Sequence, residues 1–582
     1  MRAALCAMPY ALCQKVICNP KRLTLKMRTK EDHNSDIVNI AAYLNRAAET
    51  QPYKRAVVYP AGRDKHGRVT YAHLTFLQLD QESDYLAHGL EAAGITRGIR
   101  TVLMVRPSIE FFALIFAIFK TGAVPVVVDP GMGIRRMLAC FKSTRPQAFI
   151  GIPLAHVVRT VFPGFFKTVK TWVTVGRRWF WGGHTLKQIR HSHRGPYTIT
   201  KTGRNDTAAV LFTTGSTGPA KGAVYSHGNF DAQHKQIKSY LNMSPDEIDL
   251  STFPLFALFY PALGITSVIP DMDPTRPALV NPERIIEAVE NLGVTNMFAS
   301  PALLNRVGEY GKKNAVKLPT LKRVISAGAP VSAGNIEQFS ALLAEDAEIH
   351  TPYGATEAVP IISIRSHEIL NETRSLSDQG FGTCIGRPIN DIDTRIIKIS
   401  DEPIDQWTDD LLVSPGDVGE ITVRGDLVSR QYFENHAADR LGKIKDGDDI
   451  IHRMGDVGWM DQKGRIWFCG RKSHRVITAH RTLFTIPCES LFNKHARVYR
   501  SALVGVGPSL RQKPVICIEL HKSDDGESRS HLENELLEIA AANELTSSIT
   551  TILFHKGFPV DIRHNSKIFR EKLARWAEKK IK

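Results

Sequence analysis

Apolar and polar positions along residues 38–470 alternate between helical segments and short runs of β-branched residues. A helix is predicted at 76–93, and strands are predicted in the later runs RTVLMVRP, AVPVVVD, QAFIGIP, VTNMFAS and LKRVISAG. Helices that alternate with strands of this length are typical of layered, largely parallel sheets. We therefore expect an α/β fold with a large N-terminal domain of layered sheets.

The pattern changes in LVSPGDVGEITVRG (412–425), where helical segments stop and turn residues flank short strands. This predicts a small β subdomain at about 385–470, within an N-terminal domain of residues 38–471. After WFCGRKSHR a compact α+β pattern begins, so we expect a hinge at 471–474 and a smaller, mobile α+β domain at 472–582. Residues 1–37 are expected to form a disordered basic arm.

The most apolar stretch is FFALIFAIFKTGAVPVVVD (111–129), and it contains Lys120 and Gly122. A membrane span needs about 20 uninterrupted apolar residues. We therefore interpret the stretch as a buried helix followed by a strand.

Composition limits the partners of the chain only broadly. Its 582 residues are 43% apolar, which supplies more than one core. Lysine and arginine exceed the acidic residues by 16, which favours anionic partners, but no nucleic-acid motif is present, so we interpret the charge as a solvated surface spread along the chain. Eight cysteines show neither zinc spacing nor disulfide density, which favours the cytoplasm.

The loop TTGSTGPAKG (213–222) combines three glycines with four hydroxyl side chains and ends near Lys221. Glycines let the backbone turn its N–H groups inward, and such a concavity suits phosphate oxygens. The spacing is not that of a Walker A loop. Phosphate binding is favoured over a flexible connection, because the apolar AAVLF before the loop predicts a strand that leads into it.

Five further stretches resemble motifs of the adenylate-forming superfamily of acyl-CoA synthetases, luciferases and peptide-synthetase adenylation domains: SAGAP, TPYGATE, GEITVRG, RMGDVGW and CGRK. The resemblance extends over nearly all of residues 38–582 and implies ATP and Mg²⁺. It also implies a nucleotide site of Thr213, Thr214, Gly215, Ser216, Thr217, Gly218, Lys221, Gly328, Ala329, Pro330, Tyr353, Gly354, Asp456 and Arg471.

The family's roles apply to the matching positions of this sequence. Tyr353 would stack near the adenine, and Thr356 would meet the α-phosphate. Glu357 would hold Mg²⁺ together with Thr213. Asp456 would accept hydrogen bonds from both ribose hydroxyls, and the arginine of CGRK would contact ribose and phosphate at the hinge.

The stretch FPVDIRHNSKIFREKL resembles the C-terminal segment in which the family carries its catalytic lysine. Lys567 occupies that place, and Ser566 stands where glycine is usual. An acyl-adenylate gives a carboxylate an AMP leaving group, and its formation concentrates negative charge on phosphate oxygens. The implied roles of Lys567 and Glu357 are therefore mainly electrostatic.

The acceptor of the acyl group is the open question in this superfamily. Members that form thioesters usually have an acidic residue or lysine where this chain has Ser473, and a glycine where it has His480. A side chain at 480 would obstruct a narrow thiol channel. This argues against coenzyme A, yet a long-chain acyl-CoA synthetase, an acyl-AMP ligase and a non-catalytic nucleotide-binding protein remain alternatives.

Several segments, including FPLFALFYPALG and HRMGDVG, resemble the olefin-biosynthesis β-lactone synthetases more narrowly. That resemblance implies a long-chain 2-alkyl-3-hydroxy acid whose own hydroxyl closes a β-lactone. It also implies partner enzymes of three kinds, thiolase-like, ketone reductase and β-lactone decarboxylase, and a lipid-like substrate that favours peripheral membrane contact.

Two further assignments concern the acyl side of the site. Phe256, Phe259 and Tyr260 are candidates for lining an acyl pocket, with core packing as the alternative for each. His227 is a candidate catalytic residue near the carboxylate or hydroxyl, with a structural role as its alternative.

Overall fold

A computed structural model describes residues 38–191, 193–212, 220–253, 259–521, 528–560 and 567–581. The predicted N-terminal arm and most of the glycine-rich loop lie outside these residues. The strands are β1 Arg55–Arg63, β2 Val69–Thr75, β3 Arg100–Met104, β4 Val124–Val128, β5 Ala148–Gly151, β6 Thr171–Thr174, β7 His184–Thr185, β8 Thr207–Phe212, β9 Gly222–Ser226, β10 Ile248–Leu250, β11 Thr266–Val268, β12 Asn296–Phe298, β13 Arg323–Ile325, β14 Glu348–Ala355, β15 Ala358–Arg365, β16 Thr383–Pro388, β17 Asp393–Ile397, β18 Gly419–Arg424, β19 Lys443–Asp446, β20 Asp449–Met460, β21 Ile466–Arg471, β22 Val476–Ile477, β23 Thr482–Leu483, β24 Val498–Val506, β25 Lys513–Leu520 and β26 Ile552–Phe554.

Helices of very different lengths connect these strands. The α-helices are α1 Ala42–Thr50, α2 Phe76–Ala92, α3 Ile109–Lys120, α4 Ile134–Thr144, α5 Pro153–Val161, α6 Leu186–Arg190, α7 His227–Tyr240, α8 Phe259–Ala262, α9 Pro282–Leu292, α10 Pro301–Lys313, α11 Ala333–Ser340, α12 Ser366–Glu368, α13 Arg374–Leu376, α14 His436–Gly442, α15 Thr485–Phe492, α16 Arg529–Ala541 and α17 Arg570–Ile581. Short 3₁₀-helical turns occur at Pro130–Met132, Pro163–Phe165, Pro277–Leu279, Asp409–Leu411 and Lys472–His474. Short π-helical segments occur at Ile369–Thr373 and Ser377–Phe381.

Two large sheets form the N-terminal part of the molecule. The first has the order β7-β6-β5-β3-β4-β8-β9, and all its neighbours pair in parallel except β8 and β9. The second contains fourteen strands, and its path runs β17-β18-β20-β21-β16-β15-β14-β13-β12-β10-β11-β1-β2, with β19 beside β20. The predicted α/β fold of layered sheets is confirmed.

The antiparallel half of the second sheet occupies the region predicted as a β subdomain. Strands β16 to β21 pair antiparallel with one another, and β16 continues the sheet by pairing with β15. The sequence pattern predicted short strands between turns here, and the division into a subdomain stays a prediction. Its hydrogen-bonded continuity with the large sheet depends on non-local pairing, which the pattern does not encode.

The apolar helix α3 is buried within the protein, and it ends at the charged residue Lys120. Lys120 is fully buried, with its Nζ 2.7 Å from Asp80 Oδ1 and 2.6 Å from Asp84 Oδ1, both on α2. A buried charge is tolerated when it is paired in this way. In the described part of the chain, no helix is both long and apolar enough to cross a membrane.

The C-terminal part forms a separate small α+β unit. Strands β24, β25 and β26 make a three-stranded sheet, which packs with α15 and α16 in one hydrophobic cluster and with α17 in another. A single helical turn, Lys472–His474, connects this unit to the end of β21. This turn lies within residues 471–474, and both the hinge and the mobility of the unit stay predictions.

Candidate functional site

A cavity of about 590 Å³ lies between the two large sheets and the C-terminal unit. One part of its wall is polar and comes from the second sheet and the hinge. The other part is apolar and comes from α3, the first sheet and the segment before α8. The lining residues used below are Ile115, Phe116, Phe119, Val127, Leu211, Lys221, Phe253, Phe298, Gly328, Gly354, Thr356, Glu357, Tyr432, His452, Arg471, Lys472, Ser473 and Lys567.

The carboxylate of Glu357 is at the centre of the polar part. Its Oε1 accepts a hydrogen bond of 2.6 Å from the hydroxyl of Tyr432. Burial alone would raise the pKa of Glu357, but the Tyr432 hydroxyl and the Lys443 ammonium hold that pKa below its usual value. Glu357 is therefore ionised at neutral pH, which suits binding of a cation.

Two ammonium groups lie over the ring of Tyr432. The Nζ atoms of Lys221 and Lys443 are 5.2 Å and 5.4 Å from the ring centroid. A cation near an aromatic face is attracted by the ring quadrupole. Burial lowers the pKa of Lys443 to about 8 and that of His452 to about 3, so the imidazole is neutral at neutral pH. Tyr432 therefore contacts two ammonium groups through its ring and the Glu357 carboxylate through its hydroxyl.

Neighbouring contacts fix the strand end that carries Glu357. The hydroxyl of Tyr225 donates to the carbonyl oxygen of Thr356 at 2.6 Å, and the N–H of Ser429 donates to the carbonyl oxygen of Glu357 at 2.8 Å. A Cβ on Gly354 would lie 2.5 Å from the carbonyl oxygen of Ala358, so glycine is required there. Thr356 and Glu357 are thus held at the cavity wall by backbone contacts.

Asp456, Arg471 and Tyr353 form a second polar group beside the cavity. Asp456 is buried, accepts a hydrogen bond from the Tyr353 hydroxyl, and lies opposite Arg471 in the pairing of β20 with β21. The Nη1 of Arg471 is 3.1 Å from Oδ1 of Asp456, yet that oxygen has no hydrogen-bond partner among the described residues. Ion pairing without a hydrogen bond leaves Oδ1 available to an incoming hydroxyl.

Burial raises the pKa of Asp456, and the positive charges of Arg471 and Lys567 oppose that shift. The same pairing raises the pKa of Arg471. Arg471 therefore stays charged beside the cavity, at the residue that ends β21 and precedes the hinge.

Lys567 enters the cavity wall from the C-terminal unit. The residue after it, Ile568, pairs with Val560, and Arg570 begins α17. The guanidinium of Arg570 donates to both carboxylate oxygens of the buried Glu489 on α15. Bidentate pairs of this kind fix orientation as well as charge, so Arg570 holds the segment that presents Lys567.

The hinge turn is also part of the polar wall. Lys472 donates to the carbonyl oxygen of Ser400 at 2.7 Å and lies 3.0 Å from the buried carboxylate of Glu420. Ser473 lines the cavity, whereas His480 is exposed in the turn between β22 and β23 and is not a lining residue. In this arrangement, position 480 does not reach the cavity.

The apolar part of the cavity has two walls that belong to different hydrophobic clusters. Ile115, Phe116 and Phe119 of α3 belong to a cluster that also packs against Leu211 of the first sheet. Phe298 and Phe253 belong to another cluster, and their ring centroids are 5.8 Å apart. An apolar ligand in this cavity would contact both clusters.

The residues proposed for the acyl pocket have different positions. Phe256 lies outside the described residues, as do Thr213 to Gly218 and Ser566. Phe259 begins α8. Tyr260 is buried in the core and does not line the cavity, and Phe253 of the same sequence segment does.

His227 begins α7 and is buried beside Phe119, which itself lines the cavity. Its Nδ1 accepts a hydrogen bond of 3.3 Å from the N–H of Ile40, and burial lowers the pKa of the ring to about 4. The imidazole is therefore neutral. The ring lies behind the cavity wall.

Of the three residues of SAGAP that were predicted for the nucleotide site, Gly328 lines the cavity, and Ala329 and Pro330 do not.

Tyr432, Lys443 and His452 were missed by the sequence reasoning, although HRMGDVG contains His452. They meet around Glu357 only because β19 pairs with β20 and because the segment before α14 passes beside β9. No local sequence feature marks such a grouping. The α3 wall was missed because a continuous apolar run does not show which of its faces meets a cavity.

Comparison with known proteins identifies the family. The model of the AMP-binding enzyme family matches residues 44–433. An olefin β-lactone synthetase from Xanthomonas campestris pv. campestris is 46% identical over 548 residues, which cover 93% of this chain and 98% of the relative. An olefin β-lactone synthetase from Stenotrophomonas maltophilia is 47% identical over 552 residues, with 93% and 98% coverage.

The fold is also similar to that of solved structures. The crystal structure of ATP-bound MatB from Rhodopseudomonas palustris has a TM-score of 0.76 and 18% sequence identity, and the match covers 94% of this chain and 100% of MatB. At this identity the likeness supports the fold alone.

Proposed function

The chain belongs to the AMP-binding, adenylate-forming enzymes, and we propose that it activates a long-chain 2-alkyl-3-hydroxy acid with ATP and closes it to a β-lactone, with release of AMP and pyrophosphate. Its group within the family is that of the olefin β-lactone synthetases, which are AMP-forming ligases. The observation that carries the proposal is the identity of 46% and 47% to two such enzymes over nearly the whole length of both chains.

The first half-reaction joins the acid to AMP. A carboxylate oxygen attacks the α-phosphorus of ATP, the bond from that phosphorus to the α,β-bridging oxygen breaks, and pyrophosphate leaves. Lys567 and Lys221 supply positive charge at the cavity, where phosphate oxygens gain negative charge. Asp456 and Arg471 bind the ribose side in this proposal, because Oδ1 of Asp456 is an open acceptor.

Magnesium fits the polar part of the cavity. Glu357 is an ionised, cavity-lining carboxylate, and the described residues contain no cluster of three or more ligating side chains. Mg²⁺ usually takes one or two carboxylates together with water and substrate phosphates. Glu357 would hold the ion with Thr213, and the ion would neutralise charge on the phosphates.

The second half-reaction closes the ring within one substrate molecule. The 3-hydroxyl oxygen attacks the carbonyl carbon of the mixed anhydride, the hydroxyl loses its proton, and AMP leaves with the former carboxylate oxygen. A hydroxyl oxygen three bonds away from the carbonyl carbon has a high effective molarity, which helps to offset ring strain. An internal nucleophile needs no thiol channel.

The two apolar walls support a substrate with two alkyl branches. We place one branch against Phe116 and Phe119 of α3 and the other against Phe253 and Phe298. The partner enzymes of such a pathway would be a thiolase-like condensing enzyme, a ketone reductase and a β-lactone decarboxylase.

A pair of substrates tests this function. The 2-alkyl-3-hydroxy acid should give continuous AMP release and a product lighter by one water. The matched 2-alkyl acid without the hydroxyl should release pyrophosphate and stop at enzyme-bound acyl-adenylate, because nothing closes the ring. Sustained AMP release from both acids, only in the presence of coenzyme A, would overturn the proposal.

A further inference from the structure

The excess positive charge of this protein is concentrated in one segment. Residues 130–205 contain fourteen lysines and arginines and not a single aspartate or glutamate, against a net charge of +16 for the whole chain. The segment forms α4, α5, α6 and the outer strands β5, β6 and β7 of the first sheet. The expectation of charge spread along the chain was therefore wrong. Three of these arginines are paired with acidic groups of other segments: Arg145 with Glu434, Arg190 with Glu82 and Arg204 with Asp231.

Large apolar side chains are exposed on the same edge. Trp179 and Phe180, in the turn between β6 and β7, are 54% and 76% exposed. Leu154, Val161 and Phe162, on α5 and at its end, are exposed as well. These five residues, here called the edge patch, are five of the twelve large apolar side chains exposed among the described residues. Such a cluster is typical of an interaction surface rather than of scattered surface residues.

The turn that carries the two aromatic rings is held in a fixed shape. The next residue, Trp181, is buried, donates to Thr174 Oγ1 at 3.0 Å and stacks on His156 of α5 at 5.3 Å. Its ring also contacts those of Trp179 and Phe180, at 5.4 Å and 5.1 Å. The buried ring therefore supports the exposed pair.

The helix α5 lies directly beside this turn. The stack of His156 on Trp181 joins the two elements, and a Cβ on Gly176 would lie 3.8 Å from Pro153. Leu154 and Val161 are seven residues apart and share one helix face. The exposed rings and the exposed helix face are thus parts of one rigid surface.

Basic side chains flank the residues of the edge patch in sequence. Lys167, Lys170, Arg177 and Arg178 are exposed, and none forms an ion pair with an acidic group in the part of the chain that the structure describes. The guanidinium of Arg178 donates to the carbonyl oxygen of Gly183, across the turn. Positive charge is therefore placed next to apolar rings without local neutralisation.

We propose that the edge patch and its basic surround dock this enzyme on the surface of an anionic lipid membrane. Tryptophan prefers the level of the headgroups, and apolar side chains beside it reach the acyl boundary. Each lysine or arginine near an anionic surface adds to the attraction. The link to catalysis rests on the proposed function: an enzyme docked on a membrane would take up its long-chain acid from that membrane.

A membrane fits this edge better than nucleic acid does. Nucleic-acid surfaces combine charge with hydrogen-bonding groups that read bases or with stacking rings in a groove. Here the apolar set includes three aliphatic or phenyl side chains on α5 and at its end, which gain nothing from phosphates. Binding to nucleic acid is accordingly an outcome that the test must exclude.

Vesicle flotation tests the proposal without ATP or acyl substrate, so its failure is distinguishable from failure of the proposed function. The full chain should float with equimolar phosphatidylcholine–phosphatidylglycerol vesicles, more weakly with phosphatidylcholine alone, and less as salt rises. Replacing Arg177 and Arg178 together by serine should reduce the partition coefficient about thirtyfold. The double variant Trp179→Ser, Phe180→Ser should reduce it at least as much.

Matched controls use exposed residues on the C-terminal unit. The double variants Leu510→Ser with Tyr499→Ser, and Lys579→Ser with Lys580→Ser, should float like the parent protein. Pyrophosphate release with a water-soluble short-chain acid should be unchanged in all four variants, which shows that they fold. No flotation, equal losses in patch and control variants, or binding of the edge patch to RNA without binding to vesicles would each overturn the proposal.

Discussion

Asp456 and Arg471 face each other across the antiparallel pairing of β20 and β21, and the guanidinium Nη1 lies 3.1 Å from the carboxylate Oδ1. Arg471 is also the last residue of β21, immediately before the hinge turn. A ligand that binds this pair is therefore adjacent to the connection that carries the C-terminal unit. In our proposal, ribose binding at this pair would therefore be linked to the position of Lys567.

Replacing Asp456 tests the ribose assignment. The Asp456→Ala variant should raise the KM for ATP about 10- to 100-fold, the range for losing hydrogen bonds to a charged group. The parent enzyme should prefer ATP to 2′-deoxy-ATP, and the variant should lose most of that preference. Steady-state pyrophosphate release with both nucleotides measures this. An unchanged preference in the variant would show that Asp456 does not contact the 2′-hydroxyl.

Replacing Lys567 tests the adenylation chemistry. The Lys567→Ala variant should lose ~10²–10³ in the rate of pyrophosphate release, because one charge that stabilises the transition state is removed. The matched control is Lys556→Ala, whose side chain is exposed on the same unit. Equal rates in the two variants would reject the role of Lys567.

The contact between Tyr432 and Glu357 predicts a pH effect. The hydroxyl helps to hold the pKa of Glu357 below its usual value, so Tyr432→Phe should raise that pKa. As pH falls, the variant carboxylate then becomes protonated earlier, and the acidic limb of adenylation shifts to higher pH. The control Tyr225→Phe loses a hydroxyl that contacts the Thr356 carbonyl instead, and its acidic limb should stay in place.

Buried histidines predict acid sensitivity of the fold. Burial lowers the pKa of four imidazole rings to about 4: those of His156, His227, His234 and His350. It lowers the pKa of His452 to about 3. Below the ordinary value of 6.5, the unfolded chain binds protons that the folded protein does not, so stability falls as pH falls. Above it, these groups contribute no pH dependence.

The His227→Gln variant separates that effect from catalysis. It removes one such proton site, so the loss of unfolding free energy between pH 6.5 and 5.5 should be about 1 kcal/mol smaller than in the parent. Denaturant unfolding at both pH values measures this. Glutamine retains an acceptor for the Ile40 N–H, so a large loss of adenylation at neutral pH would favour a catalytic role for His227 over a positioning one.

Local patterns predicted much of this fold because its strands and helices are regular. The helix predicted at 76–93 is α2, and a capping box between Thr75 and Gln78 determines where it begins. The strands predicted in AVPVVVD and LKRVISAG are β4 and β13. Short-range periodicity is sufficient for such elements.

The site could be predicted only as far as its residues lie in recognisable motifs. Lys567, Arg471 and Glu357 come from three distant segments, and the structure places all three in one cavity wall. Tyr432 and Lys443 have no such motif, and long-range strand pairing alone brings them to Glu357. The edge patch was missed for a related reason, because net charge was averaged over the chain instead of being located.

The most direct measurement follows oxygen through the reaction. The enzyme is incubated with ATP, Mg²⁺ and a 2-alkyl-3-hydroxy acid in which both carboxylate oxygens are ¹⁸O, with and without coenzyme A. The masses of the products are determined by mass spectrometry. Our account predicts a coenzyme-A-independent β-lactone that retains one ¹⁸O, and AMP that has gained the other. A labelled acyl-CoA thioester, or AMP without label, would contradict it.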